Sequence, residues 1–265
     1  MQKNIKYYLL TILLTITVGC KANLVGGMTL NEAFSPEVGQ FVDAVMNNNY
    51  QRADKQLKAG VDINAVGKEG ITPLFWLIAE EHANDLTAIE YMLKNGADPN
   101  YQDPEREVSA MWLASGGNKP EFLKLLIRYG GDVNQIGRRD ESVLMVASGQ
   151  GRLENIQILL DNGADMTWNN RFGETAASMC LTPGRFDLTV FFLEQGFDGD
   201  LQTLAAYVEG RVANEEMQPY KEKAIDILKE NGAEFPASGR LKRHLEKHPA
   251  TAAEIEDMIY GRVMY

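Results

Sequence analysis

The chain has 265 residues, of which 45% are apolar and 24% are charged, and its formal net charge is −11. This is the composition of an ordinary globular protein with enough apolar residues for a sizeable core. The acidic balance argues against nucleic acid or anionic lipid head groups as partners. A basic protein partner stays open, although a charge spread along the chain more often serves solubility.

Residues 1–19 have the layout of a secretory signal peptide. Lys3 and Lys6 precede an apolar run over residues 7–18. A basic start followed by an apolar stretch too short to span a bilayer comfortably is typical of a signal that is removed on export.

The pair Gly19-Cys20 that follows resembles the lipobox of bacterial lipoproteins, although Thr17 stands where that motif usually has an aliphatic residue. The resemblance implies that Cys20 is acylated and holds the protein at a membrane, since affinity grows by about 0.8 kcal/mol per buried methylene. Lys21 is not the aspartate that favours inner-membrane retention in enterobacterial lipoproteins, so the outer membrane facing the periplasm is expected. The alternatives are an uncleaved anchor, or a plain signal with an incidental cysteine.

Residues 20–34 show no sustained periodicity and are predicted to be a flexible tether from the lipidated Cys20. Fully extended, such a segment reaches about 45 to 50 Å, which would hold a folded domain clear of lipid. Residues 36–59 follow as a predicted helical pair that caps the N-terminal end of what comes next.

A short phrase then returns along the chain, clearest as Gly96-Ala97-Asp98-Pro99-Asn100. The glycine that ends each preceding helix recurs at intervals of 36, 34, 33, 33 and 36 residues, at Gly60, Gly96, Gly130, Gly163, Gly196 and Gly232. Glycine can close a helix in the left-handed conformation, and the Asp and Asn beyond it favour a tight turn. The fixed period, with amphipathic helical segments between the turns, predicts an array of stacked repeats.

The stretch Gly70-Ile71-Thr72-Pro73-Leu74, taken with these loops, resembles the ankyrin-repeat family. That family's unit is a β-turn finger, a helix opening with Thr-Pro-Leu-His, a second helix and a Gly-Ala-Asp-x-Asn loop. Phe75 replaces the histidine, and later copies lack the proline, so the departures concern the helix-opening turn rather than the architecture. The resemblance implies an all-α solenoid of stacked helix-turn-helix units with β-turn fingers, about six repeats including caps.

The predicted array occupies residues 35–236, and residues 237–265 are predicted to form two short capping helices. The second of these helices would begin at Thr251, because Glu254 three residues later completes a capping box. Such helices would cover the apolar end of the array.

The sequence offers no pattern that predicts catalysis, a metal site or a cofactor. His244 and His248 could share a helix face, but two ligands without a third are more often a solvated basic helix. The recurring aspartates are expected to form turns rather than to act as acids or bases, at Asp62, Asp98, Asp132 and Asp165. Cys180 occupies a small-residue position and is expected to be buried and inert. The protein is therefore predicted not to be an enzyme, with no cofactor and no small-molecule substrate.

Large apolar residues at positions that the repeat would expose are the candidate binding residues. In ankyrin proteins the fingers and the first helices form a concave surface that binds partner proteins, and aromatic residues and Met are enriched at interfaces. The candidates for contact with a protein partner are Val66, Trp76, Tyr101, Trp112, Ile136, Trp168 and Met179. Tyr101 and Trp168 are the strongest, because a turn has little core to fill. Packing within the stack is as good an explanation for Trp112.

Two hypotheses about function follow from the resemblance. The first is a membrane-tethered binding protein that neutralises another protein, similar to envelope immunity proteins that block secreted antibacterial effectors such as type VI secretion phospholipases. The second is a scaffold or stress-tolerance factor that binds resident envelope proteins. A hydrolase without a recognisable motif ranks third.

Overall fold

The computed structural model describes residues 28–79 and 86–263. The predicted signal peptide, Cys20 and the first part of the tether lie outside these residues. The chain divides into two compact units, one up to Asp98 and one from Pro99 onward. Within the described residues, regular structure consists of α-helices, short 3-10 turns and three isolated β-bridges.

The first unit is a small helical body built around the helix that begins at Pro36. Its described helices are α1 (Leu30–Ala33), α2 (Pro36–Met46), α3 (Tyr50–Lys58), α4 (Pro73–Ala79) and α5 (Leu86–Lys94). The α2 helix begins there because the Ser35 hydroxyl accepts a hydrogen bond from the Val38 amide and proline fits the first helical turn. Its fully buried Phe41 lies on the face that packs against α4 and α5.

The end of the predicted flexible tether is folded, which differs from the prediction. The α1 helix has a capping box in which Glu32 accepts from the amide and hydroxyl of Thr29, and Phe34 beyond it is buried. A Cβ placed on Gly67 would lie 2.4 Å from the Ala33 carbonyl oxygen and 2.7 Å from the Phe34 ring. Contact with the distant Gly67 thus holds this segment, and such a contact leaves no periodic signal in the sequence.

The second unit is a stack of helical pairs. Its helices are α6 (Ala110–Gly116), α7 (Pro120–Arg128), α8 (Val143–Gly149), α9 (Leu153–Asp161), α10 (Ala176–Met179), α11 (Phe186–Glu194), α12 (Leu201–Gly210), α13 (Gln218–Glu230), α14 (Gly239–Lys247) and α15 (Ala252–Tyr260). The first helices of successive pairs pack in the order α6, α8, α10, α12, and the second helices pack as α7 on α9 and α11 on α13. Met145 and Leu144 of α8 lie fully buried in this stack.

The loops that close the pairs have the predicted backbone. All six loop glycines have positive φ, between 86° and 95°, and a side chain there would be strained. The Asp132 carboxylate accepts from the Asn134 amide at 2.8 Å, which confirms the turn role predicted for it, and Asp62 and Asp165 do the same two residues on. Each loop Asn then reaches the next loop: Asn134 donates to the Gly163 carbonyl at 3.2 Å and accepts from the Asp165 amide at 2.8 Å.

The helices predicted after Pro236 are α14 and α15, and the capping box of Thr251 and Glu254 is present. The α15 helix packs on α13, where the buried Tyr260 hydroxyl donates to Asp226 and accepts from Lys229 at 3.0 Å. No helix among the described residues has the length and apolar character needed to cross a bilayer.

Candidate protein-binding surface

The candidate surface of each unit is built from its fingers, the short turns between one loop and the next helix. We call residues 65–71 the first finger, 101–109 the second, 135–142 the third and 168–175 the fourth. Each finger of the second unit is closed by one antiparallel bridge: Gln102 with Ser109, Ile136 with Ser142, and Asn169 with Thr175. Each bridge is followed at once by a helix whose first turn is capped by that Ser or Thr.

The tip of the third finger has unusual backbone. Arg139 and Asp140 have φ of 66° and 60°, in the left-handed region that residues other than glycine seldom occupy. This conformation turns the Asp140 carbonyl and carboxylate toward the fourth finger. The Trp168 indole nitrogen donates to that carbonyl at 2.9 Å, and Arg171 Nε donates to the carboxylate at 2.7 Å.

Charge and aromatic contacts complete the same corner. The Arg139 guanidinium lies 5.5 Å from the centroid of the Phe172 ring, a cation–π distance. The hydrogen bond from Arg171 holds the pKa of Asp140 below its usual range, so this carboxylate stays ionised at neutral pH. Two fingers that are separate in sequence therefore present one connected group of aromatic and guanidinium side chains.

The second and third fingers are joined by amide side chains. Gln102 Nε2 donates to the Ile136 carbonyl at 2.9 Å, and Gln135 Nε2 donates to the Asn100 carbonyl at 2.8 Å. The Arg138 amide donates to the Glu107 carbonyl at 3.1 Å. These bonds fix the spacing of the fingers along the stack, so that their tips form a surface rather than independent loops.

Five of the predicted binding residues lie in the second unit and two in the first. In the second unit Trp168 is 38% exposed, whereas the remaining four are half-buried: Tyr101, Trp112, Ile136 and Met179. In the first unit Val66 is 56% exposed at the first finger. The contact role predicted for these six residues stays a prediction, and each of the six has part of its surface exposed. The seventh, Trp76, differs.

Trp76 lies on the first helix of its pair, as predicted, but it is only 3% exposed, so its predicted contact with a partner is wrong. The Phe34 ring meets it edge-on, with centroids 5.8 Å apart, so the segment after α1 covers the face that the repeat pattern would leave open. The Trp76 indole nitrogen finds no hydrogen-bond acceptor among the described residues. A partner could not reach this side chain without displacing Phe34, and we correct the prediction accordingly.

Trp112 has a mixed role. It is half-buried on α6, and a Cβ on Gly137 of the third finger would lie 3.2 Å from its ring. Its indole nitrogen is likewise buried without a partner in the described part of the chain. Trp112 thus supports the third finger from below.

The sequence reasoning missed Phe172 and the arginines beside it. Phe172 is 58% exposed at the tip of the fourth finger, which makes it more open than Trp168. The argument applied to Trp168, that a turn has little core to fill, applies equally to Phe172 four residues later. Arg139 and Arg171 gave no signal, because exposed arginines in turns are common on any surface.

The remaining candidates for chemical reactivity or metal binding are the Cys180 thiol and the His, Cys, Asp and Glu side chains. Cys180 is fully buried, and burial raises the pKa of its thiol to about 12, so it is protonated and unreactive at neutral pH. Within residues 28–79 and 86–263, no group of three or more His, Cys, Asp or Glu side chains is arranged to hold a metal.

Comparison with known proteins agrees with this geometry. The family model "Ankyrin repeats (3 copies)" matches residues 41–135 and 77–170. Residues 41–170 are ankyrin repeats. The predicted all-α ankyrin solenoid is thereby confirmed, and ankyrin repeats are protein-binding modules, so the predicted binding of a protein partner is supported at that level. The helical pairs after residue 170 continue the alternation of glycine loop and paired helices, although, among the described residues, α12 follows the loop at Gly196 without a bridged finger.

Curated relatives share the ankyrin repeats over short stretches. The mouse protein named "Ankyrin repeat and SOCS box protein 6" is 34% identical over 74 residues, which are 28% of this chain and 17% of the mouse protein. The human protein of the same name is 37% identical over 54 residues, which are 20% of this chain and 13% of the human protein. The matched stretch thus spans less than a fifth of either relative, and the likeness concerns the repeats.

Proposed function

We propose that this chain is a lipid-anchored protein of the bacterial envelope that binds and neutralises another protein without catalysis. One observation carries the binding part: Trp168 and Phe172, both large and apolar, lie exposed on one finger that hydrogen bonds hold in place. Buried aromatic anchors surrounded by polar groups dominate the affinity of protein interfaces. The anchoring part rests on the sequence of residues 1–19 and on the Gly19-Cys20 pair.

Neutralisation would work by occlusion. An inhibitor tethered at the membrane would meet a lipid-degrading enzyme where that enzyme must act, and its fingers would block the entry to the enzyme's substrate site. The target class, a type VI secretion phospholipase delivered by sibling cells, comes from the resemblance to envelope immunity proteins. Fold alone does not assign such a role, so it requires a direct test.

The test is survival under attack. A strain lacking the gene is exposed to siblings that deliver a phospholipase effector, and is complemented with the wild type, with Trp168→Ala/Phe172→Ala, or with Leu153→Ala. Leu153 is also an exposed apolar residue, but it lies on α9 outside the fingers, so it is the matched control. We expect the wild type and Leu153→Ala to restore survival and the double variant to fail at equal protein level.

Two results would count against the proposal. If the deletion strain survives as well as the parent, the immunity role is wrong, and capture of several resident envelope proteins would then favour the scaffold hypothesis. If the double finger variant protects fully, the finger surface is wrong.

The anchor is tested separately with Cys20→Ser. Labelling with a palmitate analogue and detergent phase partition should place the wild type in the lipid-modified, detergent fraction and the variant in the aqueous fraction. A wild-type protein recovered unlabelled in the aqueous phase would refute the tether and leave the binding proposal standing.

A further inference from the structure

The third and fourth fingers carry a cluster of exposed arginine and aromatic side chains that suits a partner of particular chemistry. We call Arg139, Trp168, Arg171 and Phe172 the arginine–aromatic patch. Arginine and tryptophan are the residue types most enriched among the anchors of protein interfaces. Here they occur together on a chain whose formal charge is −11.

The patch is ordered before any partner arrives. Asp140 is its centre, because its carbonyl accepts the Trp168 indole N–H and its carboxylate accepts Arg171, while Arg139 lies over the Phe172 ring. Side chains already held in place lose little conformational entropy on binding. The contacts of Arg171 with Asp140 use its Nε, and its exposed guanidinium retains further N–H donors.

In the third and fourth fingers the two arginine side chains are more exposed to solvent than the acidic side chains beside them. The Arg139 and Arg171 side chains are 58% and 59% exposed, whereas the Glu141 side chain is 13% exposed. Burial raises the pKa of Glu141, and the half-buried Glu174 accepts from Asn170 at 2.9 Å. Asp140, at 42% exposure, is paired with Arg171, and the Glu141 carboxylate lies 3.6 Å from the Arg139 guanidinium. These two guanidinium groups are thus more exposed than the two carboxylates with which they pair, and the exposed Glu107 of the second finger also acts electrostatically on Arg171.

We propose that the arginine–aromatic patch binds an acidic segment of the protein partner. Carboxylates of that segment pair with Arg139 and Arg171, and an apolar side chain next to them packs on Trp168 and Phe172. Guanidinium groups bind carboxylates in a planar, two-bond geometry that suits this recognition. The inference rests on the proposed protein-binding function and adds the chemistry of the partner.

The net charge of the chain favours a short acidic segment over a long polyanion. The field of the whole molecule repels nucleic acid or an anionic membrane, since many of their charges must come within reach at once. Salt screens charges beyond about 8 Å at physiological ionic strength, so a few carboxylates at the finger tips respond to the charges of these fingers rather than to the net charge of the chain.

The test uses the full mature chain and two probes: a short peptide of repeated Asp-Glu-Leu and its counterpart of repeated Lys-Lys-Leu. The readout is the NMR signal of the Trp168 indole N–H, assigned with Trp168→Phe, with the buried Trp76 indole as internal reference. We expect the acidic peptide to shift the Trp168 signal and leave the Trp76 signal in place, and the basic peptide to shift neither.

Variants separate a binding role from a structural one. Arg139→Gln/Arg171→Gln should weaken acidic-peptide binding by about tenfold or more, whereas Arg128→Gln, an exposed arginine at the end of α7, should retain it. Asp140→Asn removes the competing carboxylate and keeps an acceptor for Arg171, so it should bind at least as tightly as the wild type.

Several outcomes would overturn the inference. These are a larger shift of Trp168 with the basic peptide, an unchanged affinity of the double arginine variant, or a loss of binding in Asp140→Asn that matches the loss in the double variant. A stronger response to a single-stranded oligonucleotide or to phosphatidylglycerol vesicles would assign the patch to phosphates instead. The peptide titration involves no effector and no host cell, so its failure leaves the survival test of the proposed function unaffected.

Discussion

Trp76 in the first unit and Trp168 in the second show two uses of the same residue type. Trp76 lies on α4, is covered by Phe34, and buries an indole N–H that has no acceptor among the described residues. Trp168 lies on a finger, keeps part of its ring in solvent, and donates its N–H to Asp140. Trp76 therefore packs inside the first unit, whereas Trp168 is partly exposed to solvent on the second.

This difference indicates that the two units do not offer equivalent surfaces. A segment of the first unit folds back on its own inner helix, whereas the exposed aromatic residues of the second unit sit on turns that no described segment covers. The binding function proposed above therefore depends on the fingers of the second unit, and the following substitutions test that contrast.

Replacing each tryptophan by alanine should give the largest difference. Trp76→Ala removes a buried ring and should lower the free energy of unfolding by about 3 to 5 kcal/mol. Trp168→Ala loses a partly exposed ring and one hydrogen bond, so about 1 kcal/mol is expected. Urea unfolding followed by circular dichroism measures both values. Trp76→Phe is the control: it keeps a ring and removes the unpaired donor, so a loss of about 1 kcal/mol is expected.

Removing the Phe34 ring, which covers Trp76, should expose the Trp76 side chain to solvent. Phe34→Ala should lower the free energy of unfolding by about 3 kcal/mol and make Trp76 accessible to acrylamide quenching, because Phe34 is its edge-on neighbour. Gly67→Ala should give the same phenotype, since its Cβ would collide with the Ala33 carbonyl. Unchanged quenching in both variants would show that α1 does not protect Trp76 in solution.

The hydrogen bonds that link one loop to the next should stabilise both units equally, whereas the aromatic residues have different roles in the two units. Asn134→Ala loses its bonds to Gly163 and Asp165, and Asn64→Ala loses the matching bonds to Gly96 at 2.9 Å and Asp98 at 2.8 Å. A loss of about 1 to 2 kcal/mol in the free energy of unfolding is expected for each.

Asn162→Ala is the control for these links, because Asn162 is an exposed residue whose side chain donates within its own turn, to the Ile158 carbonyl, and reaches no other loop in the described part of the chain. Thermal denaturation should show it within about 0.5 kcal/mol of the wild type. An equal effect of all three asparagine variants would mean that the links between loops add nothing.

Replacing Tyr260 should have the smallest effect on the free energy of unfolding. Tyr260 is intermediate between the two tryptophans, because it is buried like Trp76 but its polar atom is hydrogen-bonded like that of Trp168. Burial, reinforced by the hydrogen bond to Asp226, raises the pKa of Tyr260 from its ordinary value to about 12. Its contribution to stability is therefore complete below pH 10 and is lost as the pH rises through about 12.

Tyr260→Phe should lower the free energy of unfolding by about 1 kcal/mol at neutral pH. The difference from the wild type should vanish toward pH 12, as measured by urea unfolding across that range. The neighbouring groups that could contribute to the profile are Asp226, Lys229, Glu256 and Arg262. A gap between the two proteins that is constant with pH would contradict the assigned titration.

Much of the fold could be predicted from the sequence, because its signals are local. The glycine at each helix end, the aspartate that closes the next turn and the capping box at Thr251 all act within a few residues, and each occurs where it was predicted. The position of Trp168 on a finger followed from the repeat period. Its role in binding stays a prediction.

The rest could not be predicted, because it depends on contacts between residues far apart in the chain. Phe34 covers Trp76 across 42 positions, and Asp140 joins Trp168 and Arg171 across 28 and 31 positions. No short pattern records such pairs.

The sequence by itself determined the repeat, its turns and its helical pairs, because neighbouring residues fix backbone conformation. Only the tertiary structure decided which aromatic side chains face solvent and which charges surround them, because burial is a property of what packs on a residue and not of the residue alone.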